Sequence, residues 1–450
     1  MNDHSLLQSL NEAQQKVVSA PQMHLLVLAG AGSGKTRVLV HRIAWLVNVE
    51  NISPHNILAV TFTNKAAGEM RHRLECLLDI PMKMMWVGTF HGLAHRLLRQ
   101  HWEAAGLIQT FQILDSDDQH RIIKRILTSL NLDEAQWAAK KVQWFINQQK
   151  DEGIRPHQIA NTQDPYTKTL IRIYQAYEDI CVRNGVIDFA ELILRSYDLF
   201  IKNPEILQHY QERFRHILVD EFQDTNTIQY AWLKLLGGEK SCLMIVGDDD
   251  QSIYGWRGAR VKNIQDFTRD FPENQVIRLE QNYRSTGVIL AAANALISHN
   301  DGRLGKKLWS SGKQGDLISL YGAFNDLDEA RFIVNQIKQG LKKEILANEV
   351  AILYRSNAQS RVLEEALIQS QIPYRIYGGL RFFERAEIKD SLAYLRLIAN
   401  RNDDPAFERI VNTPTRGIGE QTLQMLRMEA RTEGISLWQA AQQLLSKQTL

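Results

Sequence analysis

Residues 28–39 read LAGAGSGKTRVL, an apolar strand running into a glycine-rich loop that closes on Lys35-Thr36 and opens a helix. Gly30, Gly32 and Gly34 let the backbone curl so that successive N–H groups point at phosphate oxygens. Lys35 adds a cation to the same place, and the Thr36 hydroxyl suits a Mg²⁺ ligand. The helix N-terminus favours the same anion through its dipole. The first glycine of the usual phosphate-loop pattern is replaced by Ala29, which makes this the looser form of the loop. A glycine-rich turn without function is the competing reading, and Gly-Lys-Thr after a strand of this kind disfavours it. The stretch Ala29, Gly30, Ala31, Gly32, Ser33, Gly34, Lys35, Thr36 and Arg37 is therefore the candidate nucleoside triphosphate cradle, with ATP and Mg²⁺ expected in it.

Working outward, short apolar runs precede Gly-, Thr- or Asp-rich turns at LLVLAG, ILAVTFT, MWVGTF, HILVDE, LMIVGD and VIRLE. Runs of this kind predict the buried strands of a parallel sheet alternating with helices. HILVDEFQDTN delivers Asp220 and Glu221 to a strand end, facing the phosphate loop. Asp220 suits a Mg²⁺ contact and Glu221 a general base for the attacking water, with a surface acid pair as the alternative. LMIVGDDDQSIYGWRGA places Gln251 where it can sense a γ-phosphate and then presents Tyr254, Trp256 and Arg257 within four residues. Aromatics interleaved with glycines and a cation suit stacked single-stranded bases, whereas a buried strand would not tolerate that mixture.

Residues 91–213 turn to helical periodicity, as in DQHRIIKRILTSL and YTKTLIRIYQAYEDICVRNG, and predict a helical insertion into the first sheet. Sheet character is expected to resume with LISLYGAF, EVAILYRS and PYRIYGG, and helices to return from about residue 379. TPTRGIGEQTL is a Gly-apolar-Gly turn between helices. It predicts either a helix–hairpin–helix grip on duplex phosphate through Arg416, Gly417 and Gly419 or an ordinary glycine helix stop.

The whole chain fits this picture. Its 450 residues leave room for about three domains. With 44% hydrophobic and 23% charged residues it is not a largely disordered chain. A net charge of +2 means that any nucleic acid must be held by local patches and not by an overall basic field. No apolar stretch reaches the ~18 residues of a membrane span and the N-terminus lacks a signal-peptide core, so a cytoplasmic protein is expected. Cys76, Cys181 and Cys242 are far apart and without a CxxC pair, and read as reduced, semi-buried packing residues. LWQAAQQLLSKQTL runs to residue 450 inside an expected helix, as in a piece of a longer protein.

Taken in order, these motifs resemble those of the superfamily 1A DNA helicases of the UvrD/Rep/PcrA type, from Leu10 to the last residue. The resemblance makes Gln14 of SLNEAQ the adenine reader, and Phe62 and Asn64 of AVTFTNKAAGEM contacts to single-stranded DNA. It also makes His91 of GTFHGLAHRLL a DNA neighbour, unless it is a structural histidine. In LEQNYRST it gives Tyr283 the adenine stack and Arg284 a reach to the γ-phosphate, so that Lys35, Glu221, Gln251 and Arg284 form the catalytic set. YRSNAQSRVLEEAL and YRIYGGLRFFERAEIKD also look like the family. Gly68, where the family more often has alanine, should weaken its helix by up to ~1 kcal/mol.

The implied fold is α/β: a RecA-like P-loop domain over 1–90 and 214–280 with a helical insertion at 91–213. The first part of a second RecA-like domain follows at 281–378, and the start of a second helical insertion at 379–450. The implied function is ATP-dependent, 3′-to-5′ translocation on single-stranded DNA and unwinding at junctions with duplex, in nucleotide excision repair, mismatch repair and replication. A small-molecule kinase or GTPase is disfavoured because no NKxD occurs and the aromatic turn would have no purpose. A nucleotide-gated DNA clamp without unwinding is the alternative that the Asp220/Glu221 pair speaks against.

Overall fold

The computed structural model describes residues 6–78, 81, 84–160, 163–238, 240–377 and 386–447. They form two compact units, Met1–Leu317 and Ile318–Leu450.

In the first unit, α1 (Glu12–Val18) precedes β1 (Leu25–Ala29), α2 (Lys35–Asn48), β2 (Ile57–Thr61), α3 (Asn64–Leu77), β3 (Trp86–Thr89) and α4 (Phe90–Gln100). A helical excursion then runs through β4 (Gln112–Ile113), α5 (Ser116–Ser129), α6 (Ala139–Asp151), α7 (Pro165–Arg183), β5 (Val186–Ile187), α8 (Phe189–Lys202) and α9 (Pro204–Arg213). The chain returns through β6 (His216–Val219), α10 (Thr227–Leu236), β7 (Cys242–Gly247), α11 (Lys262–Asp270) and β8 (Gln275–Leu279), and ends the unit beyond α12 (Gly287–Ile297).

All six expected strands are present and form one parallel sheet in the order β3-β2-β6-β7-β1-β8. The inner strands β2, β6, β7 and β1 are mostly apolar because both of their faces are covered, whereas the edge strand β8 is largely exposed and carries Gln275 and Arg278. Leu26, Leu28, Leu58, Val60, Ile217, Val219, Leu243 and Ile245 point into a core shared with α4, α8 and α10. Their alternates Leu25, Val27, Ala29, Ile57, Ala59, Leu218, Met244 and Val246 face α1, α2 and α3. The period-2 alternation thus splits one apolar run between two cores.

Within the excursion, α5, α6 and α7 enclose a core of their own around Ile123, Ile146, Ile173 and Tyr174, while α4 and α8 remain on the sheet face. The two short strands β4 and β5 pair with each other; at two residues each they leave no readable pattern in the sequence. Beneath them lies a buried ion network. Lys150 Nζ is 2.7 Å from Glu178, 2.8 Å from Asp188 and 3.0 Å from Glu191. Burial alone would lower this lysine's pKa, but the carboxylates outweigh it and hold it well above its ordinary value. Arg155 joins the network through Glu178, Glu191 and Asp198. Removing one partner from such a network costs about 3–5 kcal/mol, since it leaves a charge buried alone.

His216 opens β6, the strand that delivers the acidic pair. It is buried, and its Nε2 has no hydrogen-bond partner among the described residues. Burial first, then Arg42 and Arg215, push its pKa from 6.5 down to about 4. Between those values the unfolded chain takes up a proton that the folded chain refuses, so stability falls as pH falls through this window, by up to about 3 kcal/mol. We expect His216→Val to flatten the pH dependence of the urea midpoint between pH 6.5 and 4. Parallel declines in the two proteins would contradict this assignment.

The second unit holds α13 (Asp326–Lys342) against α14 (Ser360–Gln369) around Val334, Ile337 and Leu367. A separate helical cluster comprises α15 (Ala386–Ala399), α16 (Asp404–Ile410), α17 (Glu420–Glu433) and α18 (Leu437–Ser446). The expected helices from residue 387 onward are therefore present. The expected strands are not: the described residues of LISLYGAF, EVAILYRS and PYRIYGG run without a ladder. A strand pattern becomes a strand only when a neighbour accepts its N–H and C=O groups. Here these segments leave Leu320 and Leu353 almost wholly exposed. Gly378 and Gly379 of PYRIYGG, and GGLRFFER of the family-like segment, lie outside the described residues. The cysteines are all free, but only Cys181 is buried and Cys76 is exposed, which corrects the expectation of three semi-buried residues. No described helix is long and apolar enough to cross a membrane.

Candidate nucleotide and DNA site

The phosphate loop leaves the C-terminal end of β1, at the crevice side of the sheet where ligands of open α/β folds bind. Gly34 caps α2 in the left-handed region at φ 90°, and Gly32 has φ 66°. A Cβ on Gly34 would come 2.8 Å from Gln14 Nε2, so the loop needs glycine for conformation and for space. Ser33 is buried and its hydroxyl donates to the Gly30 carbonyl at 2.8 Å. Gly30 spends its own N–H on Leu279 of β8, which removes it from the set of phosphate donors.

Lys35 projects from the first turn of α2. Its Nζ lies 3.4 Å from Glu221 and is buried without a hydrogen-bond partner among the described residues. A buried ammonium with unused N–H groups at a loop of glycines fits a phosphate group. Thr36 Oγ1 donates to Asp220 Oδ2 at 3.3 Å, so the two residues expected to share Mg²⁺ are adjacent. Burial first and the Glu221 charge second raise the Asp220 carboxyl to about 6, against the pull of Lys35. The same two causes raise Asp224 to about 6. A buried acid pushed up in this way is suited to a cation that would restore its charge.

Glu221 sits at φ 51° and donates its N–H to Asp220 Oδ1 at 3.0 Å. Its carboxylate accepts from Gln223 Nε2 at 2.8 Å, while Gln223 Oε1 accepts from the Asp248 N–H at 2.9 Å. Gln223, fully buried, thus fixes the carboxylate to the end of β7. Sequence reading passed over it; its place between two acids in DEFQD was the available signal. Gln251 does lie beyond the end of β7, with its side-chain amide donating to Asp248.

Residues 281–284 pack on the loop. Tyr283 donates its N–H to the Gly32 carbonyl at 2.9 Å, and Asn282 Nδ2 donates to the Ala31 carbonyl at 2.6 Å. Asn282 Oδ1 in turn accepts the N–H groups of Arg284 and Ser285 at 2.8 and 2.7 Å. Asn282, also passed over, is what seats Tyr283 and Arg284. The Tyr283 ring is half exposed, and its hydroxyl accepts from Asn11 Nδ2 at 2.7 Å. Gln14 donates to the Ser33 carbonyl at 2.9 Å and accepts the Asn11 N–H at 3.1 Å. That leaves one N–H and one lone pair of its amide for a base edge. Arg37 points away from the loop and donates to the Ser9 carbonyl at 2.8 Å.

The acidic triplet Asp248, Asp249 and Asp250 is the one group of three or more possible metal ligands among the described residues. It is already neutralised. Buried Lys306 lies 2.7 Å from Asp248 and 3.0 Å from Asp250 and also contacts Asp249, and Arg303 grips Asp250 at 2.7 and 2.8 Å.

The aromatic turn follows. Trp256 is 71% exposed, which excludes the core reading of this ring. Arg257 stands 4.6 Å from its centroid and 5.3 Å from that of Tyr254, a cation held over two rings. Phe62 is half-buried against Phe90 at 5.8 Å, and Asn64 is exposed at the start of α3. His91 lies 6.0 Å from the exposed Phe189 ring, and burial lowers its pKa to about 4. Its imidazole is therefore held neutral at this position. Phe189, a large apolar residue exposed at a helix start, is a further ring on this surface that sequence reading passed over.

In the second unit, Gly417 (φ 74°) and Gly419, the N-cap of α17, form an open turn in which an added Cβ would meet nothing. Arg416 does not point outward from it. Its guanidinium, though solvent-exposed, donates to the carbonyls of Ile410, Val411 and Thr413 at 2.6–3.2 Å and to the Tyr394 hydroxyl, bracing the turn.

Comparison with known proteins identifies the family. Residues 10–272 match the family model of the UvrD/REP helicase N-terminal domain, and residues 277–449 match that of the UvrD-like helicase C-terminal domain. The chain is 64% identical over 445 residues to DNA helicase II of Escherichia coli (strain K12), covering 99% of this chain and 62% of that protein. It is 59% identical over 446 residues to DNA helicase II of Haemophilus influenzae, covering 98% and 61%. With ATP-dependent DNA helicase PcrA of Staphylococcus epidermidis it shares 44% identity over 438 residues, covering 97% and 60%. The chain thus spans about three-fifths of the length of these relatives. It belongs to the UvrD/REP helicase family.

Proposed function

We propose that this protein is an ATP-dependent DNA helicase that translocates 3′ to 5′ on single-stranded DNA and opens duplex at junctions, serving repair and replication. The observation that carries the reading is the buried Lys35 ammonium, 3.4 Å from Glu221 and without a hydrogen bond among the described residues, on a sheet whose next strand leads directly into the exposed Tyr254–Arg257 turn. One element handles the phosphate and its neighbour offers bases a stacking surface. The names of the relatives support the same activity.

In this reading Thr36 and Asp220 hold Mg²⁺, which when bound offsets charge on the transferred phosphoryl group. Glu221, fixed by Gln223, accepts the proton of the attacking water. Lys35 and Arg284 stabilise phosphate charge from the two sides of the loop, and Gln14 with Tyr283 holds adenine. Gln251 senses the γ-phosphate and sits three residues before Tyr254, so a change in phosphate state shifts the ring platform. Phe62, Asn64, His91, Tyr254, Trp256 and Arg257 line the single-stranded track. The Gly417–Gly419 turn offers its backbone to duplex phosphate, with Arg416 as its brace. The domain boundaries remain those expected from the motifs: 1–90 with 214–280, 91–213, 281–378 and 379–450.

Trp256→Ala tests the track. Loss of one stacking surface should weaken single-stranded DNA binding by about 1–3 kcal/mol, with little dependence on base composition. Titration with fluorescent oligonucleotides of different sequence reads this directly. An unchanged affinity would remove Trp256 from the DNA surface.

A further inference from the structure

The C-terminal end of α6, in the helical excursion, meets both halves of the site. Its last buried residue, Lys150, is locked by three carboxylates from α7 and the α8 N-terminus. The next two side chains, Asp151 and Glu152, turn the other way. Asp151 Oδ1 accepts from Asn226 Nδ2 at 2.9 Å, and Asn226 ends the DEFQDTN segment. A Cβ on Gly258, the glycine closing the aromatic turn, would touch Asp151 at 3.8 Å. Glu152 accepts from Thr227 Oγ1 at 2.8 Å and from Arg260 Nη2 with both oxygens at 2.8 Å. The two segments are also tied to each other. The Arg260 N–H donates to the Thr225 carbonyl at 2.9 Å, and Asn263 Nδ2 reaches the Thr225 and Asn226 carbonyls at 2.9 and 3.2 Å.

We propose that Asp151 and Glu152 are positioning residues that clamp the aromatic turn Tyr254–Arg260 to the Asp220–Asn226 segment, so that DNA on the rings is felt at Glu221. The inference rests on the nucleotide and DNA reading above. Neither residue faces the phosphate loop or the exposed ring surface; both act through Asn226, Thr227, Gly258 and Arg260. Asp151 is half-buried at this junction, and desolvation, with Asp188 and Glu152 adding, raises its carboxyl to about 7. The rigid Lys150 network behind the pair supplies the fixed point that a clamp requires. It also underlies the α8 start, where Asp188 caps the helix that presents Phe189.

The test is steady-state ATP turnover with and without saturating oligothymidylate, on the unaltered protein, Glu152→Ala, Glu152→Gln and the exchange pair Glu152→Arg/Arg260→Glu. Glu152→Ala should leave unstimulated turnover within about twofold and lower the stimulation ratio by at least about fivefold, the lower range of a coupling between sites. The exchange pair should recover at least half of that loss, which a merely destabilised fold would not do. Glu152→Gln keeps the shape and the Thr227 bond, and serves if the alanine variant fails to fold; it should lose part of the stimulation. A ratio within twofold of the unaltered protein in these variants overturns the clamp alone. So does a loss matched by an equal fall in unstimulated turnover. Absence of stimulation in the unaltered protein overturns the proposed function and the clamp with it.

Discussion

Replacing Lys35 by alanine should lower ATP turnover by at least about 10²–10³-fold, the cost of losing one preorganised charge at a reacting phosphate. The expectation follows from the position of its ammonium: buried, without a hydrogen-bond partner among the described residues, and 3.4 Å from Glu221. Lys35 also offsets the acidity of its surroundings, since its charge pulls down the raised pKa values of both Asp220 and Asp224. Without it, both acids shift further toward the neutral form and Mg²⁺ loses part of its ligand charge. Single-stranded DNA binding should be nearly intact, because the ring surface around Trp256 is built on the loop after β7 and not on α2. Turnover within twofold of the unaltered protein would remove Lys35 from the reaction.

Glu221→Gln should reduce turnover by about 10²–10⁴-fold while leaving ATP bound and unhydrolysed. The amide keeps an oxygen for Gln223 while losing the capacity to take a proton and the negative charge beside Lys35, so the backbone at φ 51° and the contact to β7 are preserved. Removing one negative charge beside the phosphates should, if anything, tighten nucleotide binding. Filter retention of labelled ATP after mixing reads the trapped state. A variant that neither retains nucleotide nor loses turnover would contradict the general-base role.

Legibility in the sequence followed the range of the signal. Strands such as 25–29 and 242–247 announce themselves because both sheet faces are buried and every position is apolar. The glycine loop is likewise local: the whole cradle lies within ten residues. Asn282 and Lys306 were not legible, because their importance lies in partners dozens or hundreds of positions away, whereas Gln223 had a local signal in DEFQD beside its partner Glu221. Asn282 reaches back 251 residues to Ala31, and Lys306 answers three aspartates more than fifty residues earlier. Arg416 shows the opposite limit. An arginine next to a glycine turn suggests a phosphate ligand, yet nearby carbonyls compete for the same guanidinium. The apolar run of EVAILYRS predicted a strand that the described residues do not form, because a ladder also needs a neighbour, which the local pattern does not report.

If one site hydrolyses ATP in response to single-stranded DNA, ATP turnover at low ionic strength should rise about tenfold or more on adding oligothymidylate, within the usual range for coupled sites, and the rise should be lost as salt releases the DNA. Turnover that is equal with and without DNA, under conditions where the oligonucleotide is shown to be bound, would contradict this coupling.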